Sequence, residues 1–204
     1  GLKVLGVKDL VSLANGVDRL PPEQILPGHV VSDSLEAQAL HLDSSVAAPA
    51  LITGDAQAMG SVILGPSTVV SGQVKQHSDS AKLPEFVVQH YDPAGIDGLQ
   101  EVPQSNINGA LPVSGLWRRG SDLTISQGGL QMQGGYLYVD GDLEIFGGVS
   151  GKGAIFSTGN VTIHGLSHFD ADNLQAIMAG GDISLEGNGP QNSSFQGFMF
   201  AGGD

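Results

Sequence analysis

The chain has 204 residues, of which 31 are glycine, none is cysteine and 14% are charged, and its formal net charge at pH 7 is −13. A chain without cysteine forms no disulfide, metal–thiolate site or thiol nucleophile. Eight basic residues against 21 acidic ones offer no positive surface to nucleic-acid phosphates, and an anionic membrane surface would repel the chain. We therefore expect no nucleic-acid partner and no direct membrane contact.

Residues 1–74 are predicted to form an N-terminal solenoid part with short repeats. Residues 1–17 read either as an imperfect helical stripe or as one solenoid turn, and the likeness of DLVSL at 9–13 to a later DLTIS favours the turn. Three prolines between Arg19 and Pro27 predict a loop. From His29 to Gln76, brief apolar runs between Gly, Ser, Asp and Pro are typical of short strands.

Residues 75–115 break this pattern and are predicted to leave the solenoid as one long excursion. They contain Pro84, Pro93, Pro103 and Pro112, and a structureless stretch of this length is uncommon inside a compact domain. We expect the excursion to lie across the side of the solenoid and to cover an apolar flank or an end.

A twelve-residue block recurs through residues 116–204, the predicted long-repeat part. It reads YLYVDGDLEIFG, then AIFSTGNVTIHG, then AIMAGGDISLEG, and a fourth copy, FMFAGGD, breaks off. One Asp or Asn marks the same place in each turn, and the series is Asp122, Asp142, Asn160, Asp182 and Asp204. Near-constant periods of about 20 residues indicate a solenoid of stacked turns. Because the chain stops inside a repeat, we expect it to be a fragment whose solenoid continues.

Apolar and polar residues alternate strictly after each marker residue. Two columns result: Leu123, Leu143, Val161 and Ile183 in one, and Ile125, Ile145, Ile163 and Leu185 in the other. This alternation is typical of strands with one buried face, and stacked turns would align the columns into internal ladders. The glycine before four of the five markers, all except Asp122, fits a corner where φ can be positive. The sequence predicts an all-β parallel β-helix, or β-solenoid, with turns of about 18–22 residues.

The marker series is interpreted as a structural ladder of turn-capping side chains. Calcium is the alternative, because Asp140, Asp142 and Asp182 could supply hard oxygen ligands, but Asn160 stands where a further carboxylate would help. No metal and no cofactor are predicted.

Two further groups of residues are candidate sites. Trp117, the only tryptophan, is interpreted as a packing anchor, with a ligand platform as the alternative. Arg118 and Arg119 could contact a sugar acid or phosphate, although pairing with the surplus carboxylates is favoured. His164 and His168 would share a face only on a helix, so exposed histidines are expected rather than a metal site.

Catalytic patterns are lacking. The sequence has no GxSxG elbow and no Walker-type phosphate loop. A carbohydrate-active β-helix enzyme needs two neighbouring carboxylates, whereas Glu144 and Glu186 fall in different columns. The chain is therefore expected not to be an enzyme.

The segments LPVSGLWRRGSDLTIS, GGYLYVDGDLEIFGG, AIFSTGNVTIHG and FQGFMFAGG resemble the β-solenoid domain of bacterial pilus-assembly-associated and pilin-like surface proteins. The resemblance covers about residues 30–204, and the N-terminal half resembles bactofilins more weakly. It implies a structural or adhesive module, located extracellularly at the bacterial cell surface. Its partners would be pilus or cell-surface proteins, a surface polysaccharide or a host target. A bactofilin-like polymer and, further off, a carbohydrate-active enzyme are the alternatives.

Overall fold

The structure, a computed structural model, describes residues 2–4, 6–7, 25–26, 28–42, 44, 46, 50–81, 86–186 and 193–203. Within these ranges the regular structure is almost entirely strand, and the strands pair in parallel apart from one short antiparallel pair and one isolated bridge. This confirms the predicted all-β parallel β-solenoid. Two compact units are present, residues 1–84 with 189–196 and residues 85–188 with 197–204.

The first unit is built from strands of two or three residues. They are β1 (Leu2–Val4), β2 (Gly6–Val7), β3 (Ile25–Leu26), β4 (Val30–Ser32), β5 (Leu40–Leu42), β6 (Ala50–Ile52), β7 (Ala56–Ala58), β8 (Val62–Leu64), β9 (Thr68–Val70) and β10 (Val74–Lys75). Three parallel ladders, β4–β7–β10, β5–β8 and β1–β6–β9, give each turn three sides. The narrow core contains Leu42, Ile52 and Ala56. Short apolar runs thus do form short strands, as the sequence predicts.

Much of residues 1–27 lies outside the described residues, including the proline-containing loop. The described part of residues 1–17 is strand, and Lys3 pairs in parallel with Leu51 of β6. For residues 2–4 this pairing agrees with a solenoid turn rather than a helix, whereas the DLVSL sequence at 9–13 lies outside the described residues.

The second unit has longer strands. They are β11 (Gln100–Glu101), β12 (Asn106–Asn108), β13 (Leu111–Val113), β14 (Leu116–Arg119), β15 (Leu123–Gln127), β16 (Leu130–Val139), β17 (Leu143–Phe146), β18 (Val149–Ser157), β19 (Val161–His164), β20 (His168–Ala179) and β21 (Ile183–Glu186). A further strand, β22 (Ser193–Ala201), enters this unit at Gly197. The regular solenoid resumes at Gln100, earlier than the predicted end of the excursion at 115. The first strands, β11 to β13, are two or three residues long and lie among prolines, which is why the sequence pattern did not reveal them.

One sheet of this unit, β12–β15–β17–β19–β21, carries the apolar ladders predicted from the repeats. Its register pairs Ile125 with Ile145, Ile145 with Ile163 and Ile163 with Leu185. The three isoleucines are at most 1% exposed. Leu185 is only half-buried, because β21 is the last strand of this sheet in the described part of the chain. The aligned register is confirmed, and full burial of Leu185 is not.

The excursion covers an apolar flank, as expected. A short 3-10 turn, Val88–Tyr91, packs on the outer side of β16, β18 and β20. There the Phe156 ring stacks between Tyr91 and Tyr136, with ring centroids 4.8 and 4.6 Å away. The Tyr136 hydroxyl donates a hydrogen bond to the Tyr91 carbonyl oxygen. Tyr138 and Phe156 thus lie on the outer side of these strands, where the excursion covers them, whereas the neighbouring Leu137 and Ile155 face the interior.

Replacement of Ile163 by alanine is expected to lower the free energy of unfolding by about 2–5 kcal/mol, because it leaves a cavity in the middle of the ladder. Thr162→Ala, on the outward side of the same strand, is the matched control and should change it by less than about 0.5 kcal/mol. Urea denaturation measures both values. Equal effects of the two substitutions would contradict the assigned inward and outward faces.

Candidate functional site

The marker residues form a continuous hydrogen-bonded ladder along one corner of the second unit. Oδ1 of Asp122 accepts a bond from the backbone N–H of Asp142 (2.9 Å), and Oδ1 of Asp142 accepts one from Asn160 (2.7 Å). Oδ1 of Asn160 in turn accepts a bond from the N–H of Asp182 (2.9 Å). Each side chain therefore caps the corner of the following turn. Asp204 lies outside the described residues.

The ladder requires glycine before the markers Asp142, Asn160 and Asp182. A Cβ added at Gly159 would overlap Oδ1 of Asp142, and one added at Gly181 would overlap Oδ1 of Asn160. Only Gly141 of the three has a positive φ. The expectation of positive φ at these corners is therefore wrong at Gly159 and Gly181, where the glycine leaves room for the oxygen of the preceding turn.

A related ladder in the first unit was not foreseen. The His29 Nδ1 atom accepts a hydrogen bond from the N–H of Asp55 (3.0 Å), and Oδ1 of Asp55 accepts one from Gln73 (2.8 Å). The Thr-Gly-Asp and Ser-Gly-Gln sequences at 53–55 and 71–73 are the signal that could have revealed it. Both ladders are structural, because their acceptor atoms are engaged by backbone amides.

Two of the three carboxylates considered for calcium, those of Asp140 and Asp142, have protein partners. Asp140 accepts a hydrogen bond from the Thr158 hydroxyl (3.2 Å) and lies 3.9 Å from a guanidinium nitrogen of Arg118. Across the described ranges, no three His, Asp or Glu side chains are grouped so that they could hold a metal ion.

The proposed ligand contacts Trp117, Arg118 and Arg119 are not brought together. The register of β14 on β16 sets Trp117 beside Leu137 and Arg119 beside Val139, both core residues, while Arg118 lies beside Tyr138 on the flank. Trp117 donates to the Ser114 carbonyl oxygen (2.9 Å), and Arg119 donates to that of Val102 (3.1 Å). Neighbouring residues of a strand point to opposite sides, which separates this group.

Arg118 pairs with a carboxylate, which was the favoured alternative. Its Nε and Nη2 atoms donate to the two oxygens of Asp92 at 2.8 and 3.0 Å. This hydrogen-bonded pair holds the pKa of Asp92 below its usual value, although burial acts in the opposite direction. The pair ties the excursion to β14, next to the aromatic flank.

The outward side of the β12–β15–β17–β19–β21 sheet holds a second cluster, centred on His164. The imidazole Nδ1 atom lies 2.7 Å from Oε2 of Glu186, and Nε2 lies 3.2 Å from Oε1 of Glu144. The ring also stacks on Phe146, with centroids 4.5 Å apart and planes inclined by 14°. Glu144 and Glu186 do lie in different columns, but His164 between them joins three successive turns. We call Glu144, Phe146, His164 and Glu186 the His164 cluster.

This cluster was missed because pairs were sought within single columns. Outward residues two apart on a strand share a face, so a side chain can reach diagonally into the next column of a neighbouring strand. The Glu186 hydrogen bond raises the pKa of His164, burial lowers it, and the Glu144 bond raises it further. The imidazolium form is thus favoured, donating one hydrogen bond to each carboxylate.

No family model, curated protein or solved structure matches this chain. The fold and its repeats define it as a parallel β-solenoid repeat protein. In the part of the chain that the structure describes, no helix is long and apolar enough to cross a membrane.

Substitution of Asp142 tests the corner ladder. Asp142→Ala removes the acceptor for the Asn160 N–H and should cost about 1 kcal/mol of unfolding free energy, as for other lost caps. Asp142→Asn keeps an oxygen acceptor, as Asn160 does naturally, and should stay within about 0.5 kcal/mol of the parent. Asp97→Ala, in an exposed loop, is the control in the same urea titrations. A loss in Asp142→Asn as large as in Asp142→Ala would show that the carboxylate charge, rather than the acceptor, matters.

The His164 cluster predicts a pH-dependent stability. Because the pKa of His164 is raised in the folded state, its contribution is fully present below the ordinary imidazole pKa of 6.5 and is lost as pH rises through the raised value. The melting temperature of the parent should therefore exceed that of His164→Gln most at about pH 6 and least at about pH 9. His90→Gln, in the 3-10 turn, is the control. A difference that grows with pH would contradict the assigned imidazolium.

Proposed function

We propose that the chain is a non-enzymatic structural or adhesive module of a bacterial cell-surface protein, and that it presents one face of its solenoid to a partner. The observation that carries the proposal is the outward side of the β12–β15–β17–β19–β21 sheet, which we call the binding face. It displays polar and charged side chains together with Phe146, which is 38% exposed. The flank formed by β16, β18 and β20 is, in contrast, covered by the excursion.

The backbone supports a recognition role for this face. Parallel strands hold the outward columns at the inter-strand spacing of about 4.8 Å, and every turn rests on a buried aliphatic ladder. The backbone around His164 is fixed in the same way, because Thr162 of the same strand pairs with Glu144 of β17 and with Ser184 of β21. A preordered face loses little conformational entropy on binding.

The extracellular, pilus-associated part of the proposal rests on the sequence resemblance. Gly-rich short repeats, an excursion and YLYVDGDLEIFG-type turns together support it. The partners would be pilus or cell-surface proteins, a surface polysaccharide or a host target, and the role needs no cofactor.

Immunolabelling of cells that express the protein tests the location. Antibodies against this chain should label intact cells, and external protease should remove the label. Labelling that requires permeabilisation would contradict the proposal and favour a bactofilin-like polymer of the cytoplasm. Release of reducing ends from a polysaccharide by the purified chain would contradict its non-enzymatic part. An antibody to a cytoplasmic protein serves as the permeability control.

A further inference from the structure

The binding face already holds a flat cation in a defined setting. The imidazole of His164 stacks on Phe146 and reaches one carboxylate with each nitrogen atom. Only one oxygen of each carboxylate contacts the imidazole, and the side chains of Glu144 and Glu186 are 45% and 57% exposed. The face therefore combines an aromatic ring with accessible negative charge. The His164 imidazole shows that a flat, positively charged group fits beside them.

One face of the Phe146 ring is stacked on His164. Ile125 pairs with Ile145, and continuing this register by one residue sets Ser126 of β15 next to Phe146 of β17, on the side away from His164. Serine is too small to cover a phenyl ring, and Phe146 remains 38% exposed. The Ser126 hydroxyl donates to Oδ1 of Asn106 (2.5 Å), which turns it towards β12. We call the space beside the Phe146 ring, towards Ser126 and Glu144, the slot.

The charge of the second unit complements a positive partner. Its sequence contains thirteen acidic residues and three basic ones. Of the bases, Arg118 is paired with Asp92 and Arg119 bonds the Val102 carbonyl oxygen, while Lys152 is an exposed residue of β18. Complementary charge accelerates encounter and fixes orientation.

Among cationic side chains, arginine fits the slot best. Its guanidinium is planar, permanently charged, stacks on aromatic faces and bonds carboxylates through a fork of N–H groups. Lysine carries a compact ammonium that shares the charge but not the planar shape.

We propose that the binding face docks an arginine-bearing segment of a partner protein, whose guanidinium stacks on Phe146 above Ser126 and pairs with Glu144. This inference rests on the proposed binding role of the face and specifies the chemistry of the partner.

Fluorescence anisotropy with short labelled peptides tests it on the whole chain. Three probes of alternating glycine with arginine, lysine or citrulline are compared at equal, low ionic strength, since exposed charges are screened by salt. The arginine peptide should bind at least about threefold more tightly than the lysine peptide, the margin that exposed cation–π stacking supplies. The citrulline peptide, which is planar but neutral, should bind most weakly.

Three substitutions locate the site. Phe146→Leu removes the ring, Glu144→Gln removes the charge and Ser126→Phe fills the slot, and each should weaken arginine-peptide binding by about three- to tenfold. Asp97→Asn, which removes the same charge from an exposed loop, should not do so. Melting curves show whether each variant is folded. Because the three substitutions differ in kind, the other two still test the site if one variant misfolds.

The outcomes separate the possibilities. Equal binding of the arginine and lysine peptides, or an Asp97→Asn effect as large as that of Glu144→Gln, would overturn the proposal in favour of general attraction to a polyanion. Tighter binding of a deacetylated chito-oligosaccharide that is lost in Phe146→Leu would also overturn it, by assigning the face to an amino sugar. Neither result alters the surface-labelling test, so the proposed function is judged separately.

Discussion

The second unit depends on a contact that is repeated from turn to turn along one of its corners. A side-chain oxygen of one turn accepts a hydrogen bond from the main-chain N–H of the equivalent residue in the next turn. Corners interrupt the regular strand ladders, and at this corner a side-chain oxygen takes the place of the backbone acceptor. The ladder satisfies these amides, and it fixes the register in which the aliphatic columns stack. The inward packing of Ile125, Ile145 and Ile163 follows from that register.

The two outer surfaces of the second unit differ in what covers them. On the flank, Tyr136, Tyr138 and Phe156 are packed under the excursion, and the Arg118–Asp92 pair secures it. Burial raises the pKa of Tyr138 to about 12, with the nearby carboxylates adding to the shift. On the binding face, charged groups and Phe146 stay accessible. The two surfaces therefore differ in accessibility, because the aromatic rings of the flank are covered whereas Phe146 is 38% exposed.

Much of the fold could be predicted from the sequence, because periodic alternation reports directly on which residues face a core. The columns headed by Leu123 and Ile125 gave the register correctly, and the marker residues gave the position of the corners. Strands β11 to β13 could not be found in this way, because Gln100–Glu101 and Asn106–Asn108 are short and polar and pair only with the turn that follows. The need for glycine at positions 159 and 181 could not be predicted from the sequence either. It depends on the distance to a side-chain oxygen of the preceding turn rather than on φ.

The candidate site was less predictable than the fold. Trp117, Arg118 and Arg119 are adjacent in the sequence, but Arg118 lies on the opposite side of β14 from the other two, because adjacent residues of a strand diverge. Glu144 and Glu186 were set aside because they occupy different columns, although a histidine one turn from each bridges them. Sequence columns describe contacts along the solenoid axis and omit the diagonal contacts on which a surface cluster depends.

The corner ladder also makes two faces of a turn chemically unequal, the face towards the preceding turn and the face towards the following turn. One side offers a carboxylate or amide oxygen, as Asp142 does, and the other offers a backbone amide hydrogen, as Asn160 does to it. An inverted turn would bring oxygen against oxygen and hydrogen against hydrogen. Copies of this unit can therefore extend the ladder only head to tail, so the polarity of any longer stack is encoded in a single side chain per turn.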